Sequence, residues 1–421
     1  MTTPTSDLAR LRAFLADHLT SRVLPFWTKH ALDPAGGINT CIRDDGTLIS
    51  RDKWLWSQWR AVWVFSKLHR RLRPQSSDWL QAARGIAEFA LRHGWDEREG
   101  GWRLLVNENG EVMRGCESIY VDGFAIYGLT EYALASGLEE PLAWARKTAD
   151  HVLTRLQSPH DQVPHFPYPV PAGARVHGLP MMFSLVLWEL GQACGESRYS
   201  DAALAMQDEI FDSFYRPEFD LLVERIKADG SLYPGPLGQA VVPGHVIEDM
   251  WFQIHIARDR GDSARIREAC RLIRRHIEIG WDRDPQFGGG ILLAVDALGG
   301  SEVGWKFPDL KLWWPHTEAL YGLLLAYEES REPWCLEWYD AVHDYSFRHY
   351  PVSQWGEWRQ KLKRDATEML ETVALPVKDP FHLPRALYYC VETLDRILTA
   401  PSRFGSKSDQ SEGSVKSEAG G

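Results

Sequence analysis

WDEREGGWRLLVNENG, residues Trp95 to Gly110, has a plan that the chain repeats: an aromatic closing a helix, a short polar stretch with glycine or proline, an alternating extended run, then in most copies an acidic or Asn-Gly turn. The same plan recurs at Trp27 (WTKHALDPAGGINTCIRDDG), Tyr215 (YRPEFDLLVERIKADG), Trp281 (WDRDPQFGGGILLAVDALG) and Tyr350 (YPVSQWGEWRQKLKRD). A degenerate copy, SPHDQVPHFPYP around Asp161, takes the remaining slot. The copies stand about 60 to 70 residues apart, a period too long for one helix and suited to a helix pair joined by a small hairpin.

Between the copies, apolar residues recur at three and four spacing in twelve stretches: 6–29, 53–72, 77–93, 119–135, 140–156, 179–195, 199–215, 242–258, 262–279, 310–328, 333–349 and 381–398. Such spacing predicts amphipathic helices. Twelve helices with six hairpin loops make an all-α (α/α)6 barrel the economical architecture, with the hairpins on one face. Its rival, an open superhelix of helix pairs, leaves an extended surface where the divergent aromatic interior asks for closure around a pocket. Residues 1–400 are expected to form this single domain. Residues 401–421 turn to Ser, Gly, Lys and Glu, a composition expected to stay disordered.

Composition narrows the partner. A net charge of -11 without a sustained basic stretch argues against nucleic acid. No apolar run approaches the roughly 18 residues of a membrane span, and Asp7, Arg10 and Arg12 break the pattern of a secretory signal. Six scattered cysteines without a Cys-x-x-Cys pair fit reduced thiols, so a cytoplasmic location is expected. The 19 Trp, 14 Tyr and 16 Phe suit an apolar pocket around a polar ring such as a sugar.

Chemistry concentrates where histidine stands beside proline at a helix start: PGHVIEDMW (His245), KLWWPHTEAL (His316) and KDPFHLPRAL (His382). Imidazole is the natural proton carrier near neutral pH. Pro243 suits a first-turn position, where the helix dipole disfavours the imidazolium and leaves His245 able to accept a proton. Glu248, three residues on, shares its face and is placed to fix a tautomer or bind a hydroxyl. The bland alternative is a capping histidine packed on Trp251; a metal site from His-x-x-Glu has no evident third ligand, so none is expected. Trp56, Arg60 and Trp63 share a helical face, which makes Arg60 either a cation–π core residue or an oxyanion clamp. Tyr120 and Asp122 stand at another helix start.

Taken together these segments resemble the N-acylglucosamine 2-epimerase superfamily, with five motifs in the family's order between Lys53 and Leu394: WSQWR with Arg60, SIYVDGFA with Tyr120 and Asp122, PGHVIEDMW with His245 and Glu248, KLWWPHTEA with Trp314, His316 and Glu318, and PFHLPRAL with His382. The resemblance implies the (α/α)6 barrel and proton transfer at the sugar C2 carbon through an enediolate. His245 and His382 match the acid/base pair, Arg60 the stabiliser of the enediolate oxygen, and Glu248 and Glu318 the residues that orient histidines or hold hydroxyls. Trp56, Tyr120, Asp122, Met182, Trp314 and His316 are the expected substrate contacts. Hexose-specific relatives carry a further histidine on the sixth helix. This chain has Met181 and Met182 in HGLPMMFSLVLWEL, which favours N-acylglucosamine and N-acylmannosamine, with His177 a candidate to reach the pocket from the loop.

The substrate is thus expected to be a small monosaccharide or disaccharide, and a homodimer is left open. No cofactor is expected; ATP activates some members of the N-acyl branch, but GPLGQAVVPGH is too weak for a phosphate loop. Epimerisation of mannose or glucose, or mannose–fructose isomerisation, stands as the alternative on the same scaffold. More remote are a glycoside hydrolase, which would need two carboxylates such as Asp122 and Glu248 facing across the pocket, and a non-catalytic sugar binder.

Overall fold

The computed structural model describes residues 3–72, 75 and 77–399. The tail expected to be disordered lies outside the described residues. Twelve long helices appear at the expected places: α1 (Leu8–Asp17, running on through a π turn His18–Val23 and Leu24–His30), α2 (Leu55–Leu72), α3 (Asp78–Gly94), α4 (Ile119–Ser136), α5 (Glu139–Arg155), α6 (Gly178–Cys194), α7 (Ser197–Glu209, ending in a π turn Ile210–Phe214), α8 (Pro243–Arg260), α9 (Ser263–Gly280), α10 (Trp313–Ser330), α11 (Pro333–His349) and α12 (His382–Thr399). A single further turn of helix covers Pro236–Gln239.

The even-numbered helices form an inner ring. Each packs on the next from α2 through α4, α6, α8 and α10 to α12, and α12 returns to α2. The odd-numbered helices lie outside, α3, α5, α7, α9 and α11 each against the inner helix before it and α1 against α12. Burial explains the sorting. In α4, α6 and α10 the apolar residues run almost all round the helix, as a helix enclosed on every side requires. In α3 and α9 a single apolar stripe (Ile86, Phe89 and Ala90; Leu272, Ile273 and Ile277) faces the ring and charges face out. Contact between inner helices is close: a Cβ at Gly128 would meet the Trp59 carbonyl oxygen at 2.5 Å.

The repeated loops do more than reverse the chain. Only Trp95–Asp96 with Gly101–Trp102 and Tyr215–Arg216 with Leu221–Leu222 pair as two-stranded hairpins, whereas the copies at Leu32, Trp281 and Pro351 close through single bridges. Each loop also reaches back to the segment leading into the preceding inner helix. Lys53–Trp54 pairs with Leu105–Val106, Ser118 with His165, Ala174–Val176 with Arg225–Lys227, Ala240–Val241 with Val295–Asp296, and Lys311–Leu312 with Lys361–Leu362. The sixth link is the Lys378 N–H donating to the Thr40 carbonyl at 2.7 Å. Neighbouring units are therefore stitched together all the way round at one end of the barrel.

Aromatic residues mostly fill the space between helices. Trp27, Trp59, Trp63, Trp102, Trp251 and Trp358 are fully buried, while Trp56, Trp313 and Trp314 line the cavity described below. The aromatic content therefore reports core packing more than a sugar platform. No helix among the described residues is long and apolar enough to cross a membrane. All six cysteines are unpaired.

Candidate active site

All six inner helices begin at the stitched end of the barrel, and the first turns of each contribute to one cavity of about 230 Å³. α2 supplies Trp56 and Arg60, α4 Tyr120 and Phe124, α6 Met181 and Met182, α8 His245 and Glu248, α10 Trp313 and Trp314, and α12 His382 and Arg385. Converging helix N-termini give the cavity a positive bias that favours developing negative charge. The segment Val373–Val377 and Tyr168 complete the wall.

His245 sits in the first turn of α8 behind Pro243, and its ring stacks on Trp314 at 5.2 Å. Trp314 can lie there because Gly244 has no side chain; a Cβ at that position would come within 2.7 Å of the indole. The Nδ1 of His245 faces the carboxylate of Glu224 at 3.1 Å. Glu248 lies elsewhere, so the neighbour expected to fix the His245 tautomer is a different one. Glu224 sits inside a hairpin loop as an ordinary alternating residue, with no local feature that marks it.

His382 is the first residue of α12, and its ring lies 5.7 Å from Trp314. Its Nδ1 is 2.7 Å from Glu318 Oε1. Glu318 also accepts from Arg385 at 2.8 Å and, through its other oxygen, from the indole N–H of Trp251 at 2.8 Å. Burial alone would push the Glu318 carboxyl up, but Arg385 and His382 outweigh it and hold the group well below the usual carboxylate range. Arg385 also binds Glu248. Carboxylate and imidazole donors of Glu248, Glu318 and His382 lie within 4.8 Å of one another, the geometry of a cation site. Arg385 already brings the balancing positive charge to both carboxylates.

Arg60 is sandwiched among Phe124 (4.1 Å), Trp56 (5.1 Å) and Phe381 (5.1 Å). Its Nη1 donates to Asp379 Oδ1 at 2.8 Å, and its Nε is buried without a hydrogen-bond partner among the described residues. The alternatives offered by the sequence merge: Arg60 is a cation–π residue and also faces the cavity. Arg385, three residues after His382 in KDPFHLPRAL, is placed by the sequence to bias its charge, whereas nothing local marks Asp379 or Glu224. Each of those two carboxylates meets a partner distant along the chain, Arg60 for Asp379 and His245 for Glu224.

Three expected contacts stand behind the wall. Asp122 is buried, accepting from the Trp102 N–H at 2.8 Å and from Arg155 at 2.9 Å, and so fastens the Trp95–Trp102 hairpin. His316 is fully buried; its Nε2 accepts from the Ile291 N–H at 2.9 Å and its Nδ1 contacts the Leu312 carbonyl at 2.7 Å, with burial lowering its pKa to about 3. His177 is fully buried against Asp249 at 2.8 Å and does not reach the cavity. Glu318 acts on the cavity only through His382 and Arg385. Trp56, Tyr120, Met182 and Trp314 line the cavity.

The difference between His245 and His316 is one of phase. His245 is the third residue of α8 and His316 the fourth of α10, a turn of about 100° on the helix axis. Histidine at the third position thus enters the cavity, and histidine at the fourth turns between helices. With Asp122 bound to Arg155 behind the wall, the pair Asp122 and Glu248 named for glycoside hydrolysis does not face across the cavity.

Comparison with known proteins agrees with this geometry. The N-acylglucosamine 2-epimerase family model matches residues 36–386. The N-acylglucosamine 2-epimerase of Homo sapiens is 28% identical over 389 residues, covering 90% of each chain, and the cellobiose 2-epimerase of Dictyoglomus turgidum is 22% identical over 416 residues, covering 93% of this chain and 100% of its own. The cellobiose 2-epimerase of Spirochaeta thermophila superimposes with a TM-score of 0.78 at 21% identity, over 93% of this chain and 98% of that one. With five motifs in order, a closed ring of six helix pairs and a family match over most of its length, the chain belongs to the N-acylglucosamine 2-epimerase family.

Proposed function

We propose that the protein interconverts N-acylglucosamine and N-acylmannosamine by moving the proton at C2 of the open-chain sugar. The observation that carries the reading is the pair His245 and His382, which enter one cavity beside Trp314 with their Nδ1 atoms held by Glu224 and Glu318. This leaves each Nε2 for a ligand. One imidazole takes the C2 proton, the electron pair of the C–H bond passes through the C1 carbonyl to its oxygen, and the other imidazole returns a proton to C2 from the opposite face. Arg60, permanently charged and largely withdrawn from water, meets the enolate oxygen that forms at C1. No cofactor enters such a transfer.

Two features support an N-acyl monosaccharide. Met181, Met182, Leu185 and Val186 form an apolar wall, which accepts an acyl methyl without leaving a polar group unpaired. The cavity, about 230 Å³, is smaller than the roughly 300–1,000 Å³ of drug-sized sites, and so suits one sugar ring. Six unpaired thiols support a reducing, cytoplasmic setting.

Proton NMR in heavy water with N-acetylmannosamine, N-acetylglucosamine, mannose, glucose and cellobiose tests the reading. Deuterium at C2 with appearance of the second N-acyl epimer is expected. His245→Ala and His382→Ala should each abolish net turnover in a folded protein, and one of them is expected to keep exchange into a single epimer. Absence of C2 exchange with every sugar, or normal turnover in either folded variant, defeats the proposal.

A further inference from the structure

We infer that Glu224 is the positioning residue that sets the tautomer of His245 and stabilises its protonated form. The inference rests on the proposed proton transfer and extends it to a residue outside the family motifs recognised in the sequence. Glu224 lies between the strand segments Leu221–Leu222 and Arg225–Lys227, in the loop that links its unit to the preceding one. Its backbone is fixed on both sides: its N–H donates to the Ala240 carbonyl at 3.0 Å, and its carbonyl accepts from the His177 N–H at 3.1 Å. The side chain is 5% exposed, and its oxygens lie 3.2 and 3.1 Å from His245 Nδ1. Among the described residues this carboxylate has no other hydrogen-bond partner.

The two histidine–carboxylate pairs therefore differ. Glu318 divides its oxygens among His382, Arg385 and Trp251, so its removal would disturb a buried network. Glu224 serves His245 alone. Burial opposes its ionisation, but His245, His177 and Arg225 prevail and keep the carboxyl below its ordinary pKa. An ionised carboxylate offers only acceptors, so Nδ1 must carry the hydrogen and Nε2 must present its lone pair to the cavity. When Nε2 takes the C2 proton, the ring becomes an imidazolium next to an anion that stays ionised. The proton remains on Nε2 until it returns to carbon, and no other group changes charge at this end of the site. Without Glu224 nothing holds the hydrogen on Nδ1.

The experiment uses the full chain with 15N-labelled histidine and two variants of Glu224, with His245→Asn to identify the signal. In the unmodified protein without sugar, His245 should show the Nδ1–H tautomer. Glu224→Leu should convert it to the Nε2–H form. Glu224→Gln can still accept through its amide oxygen and should retain the Nδ1–H form while losing the charge. Both should lower kcat, by about tenfold for Gln and about a hundredfold for Leu, with KM changed much less. An unchanged tautomer in folded Glu224→Leu, or normal kcat in Glu224→Gln, overturns the inference; if Leu does not fold, the Gln variant decides through kcat. Failure of the unmodified protein to exchange C2 of any sugar would defeat the proposed function instead, and the tautomer measurement would still judge the Glu224–His245 pair.

Discussion

Asp379 accepts a hydrogen bond from Arg60 at 2.8 Å through one carboxylate oxygen, and its other oxygen accepts from the backbone N–H of His382 at 2.9 Å. One carboxylate thus ties the cation of α2 to the start of the helix that carries a proposed proton carrier. Gln360 holds Asp379 in place, accepting from its N–H at 2.9 Å and donating to its carbonyl at 3.1 Å. Asp379→Asn keeps the cap geometry but removes the charge facing Arg60. It is expected to lower kcat roughly tenfold or more, with secondary structure by circular dichroism unchanged. Asp379→Ala also removes the cap, worth about 1 kcal/mol, and strands a buried guanidinium, so its denaturation midpoint should fall clearly below that of Asp379→Asn. Equal activity in Asp379→Asn and the unmodified protein would separate Arg60 from the chemistry.

Met182 lines the cavity from the first turns of α6, where hexose-specific relatives are expected to place a histidine. Met182→His should move the ratio of kcat/KM for N-acetylmannosamine over mannose toward mannose, by several-fold. A donor that can hydrogen-bond a hydroxyl gains with the unsubstituted sugar and is left unpaired against an acyl methyl. Parallel assays on the two sugars decide it; a ratio that does not move removes α6 from substrate selection.

Gly244 is the position where Trp314 crosses the start of α8. Gly244→Ala is expected to push the indole away from His245 and so raise KM and lower kcat together, although alanine is the better helix former. Tryptophan fluorescence, with and without sugar, reports the displacement. A fully active, more stable Gly244→Ala protein would show that the indole is not part of the binding wall.

Asp282 receives a bidentate Arg364 at 2.8 and 3.0 Å and Lys311 at 3.0 Å, beneath the strand that leads into α10. Burial would raise its carboxyl, but Arg364 and Lys311 prevail and hold it at about 2. The folded pKa lies below the unfolded value of about 3.9, so the pair contributes stability above that pH and loses it as pH falls toward 2. Asp282→Asn should be less stable near neutrality by on the order of 1 to 2 kcal/mol. The gap to the unmodified protein should close between about pH 4 and pH 2, as followed by urea denaturation. A gap independent of pH would make the loss one of packing.

The sequence by itself determined the number of units and most of their boundaries. Helix period, aromatic stops and Asn-Gly or Asp-Gly turns are local signals, written into consecutive residues, and they placed twelve helices within a few residues of their observed ends. The motifs, read through the family resemblance, pointed to His245, His382, Arg60, Trp56, Tyr120, Met182 and Trp314, all of which line the cavity. Only the tertiary structure decided which residues of a motif face inward. His316 and Asp122 stand in the same kind of helix start as His245 and Tyr120, yet a shift of one residue in the first case and two in the second turns them into the wall. It also brought in Glu224 and Asp379, whose partners lie 21 and 319 residues away. A carboxylate in a hairpin or before a helix looks alike in sequence whether it meets water or an imidazole, because its partner is chosen by closure of the ring and not by its neighbours in the chain.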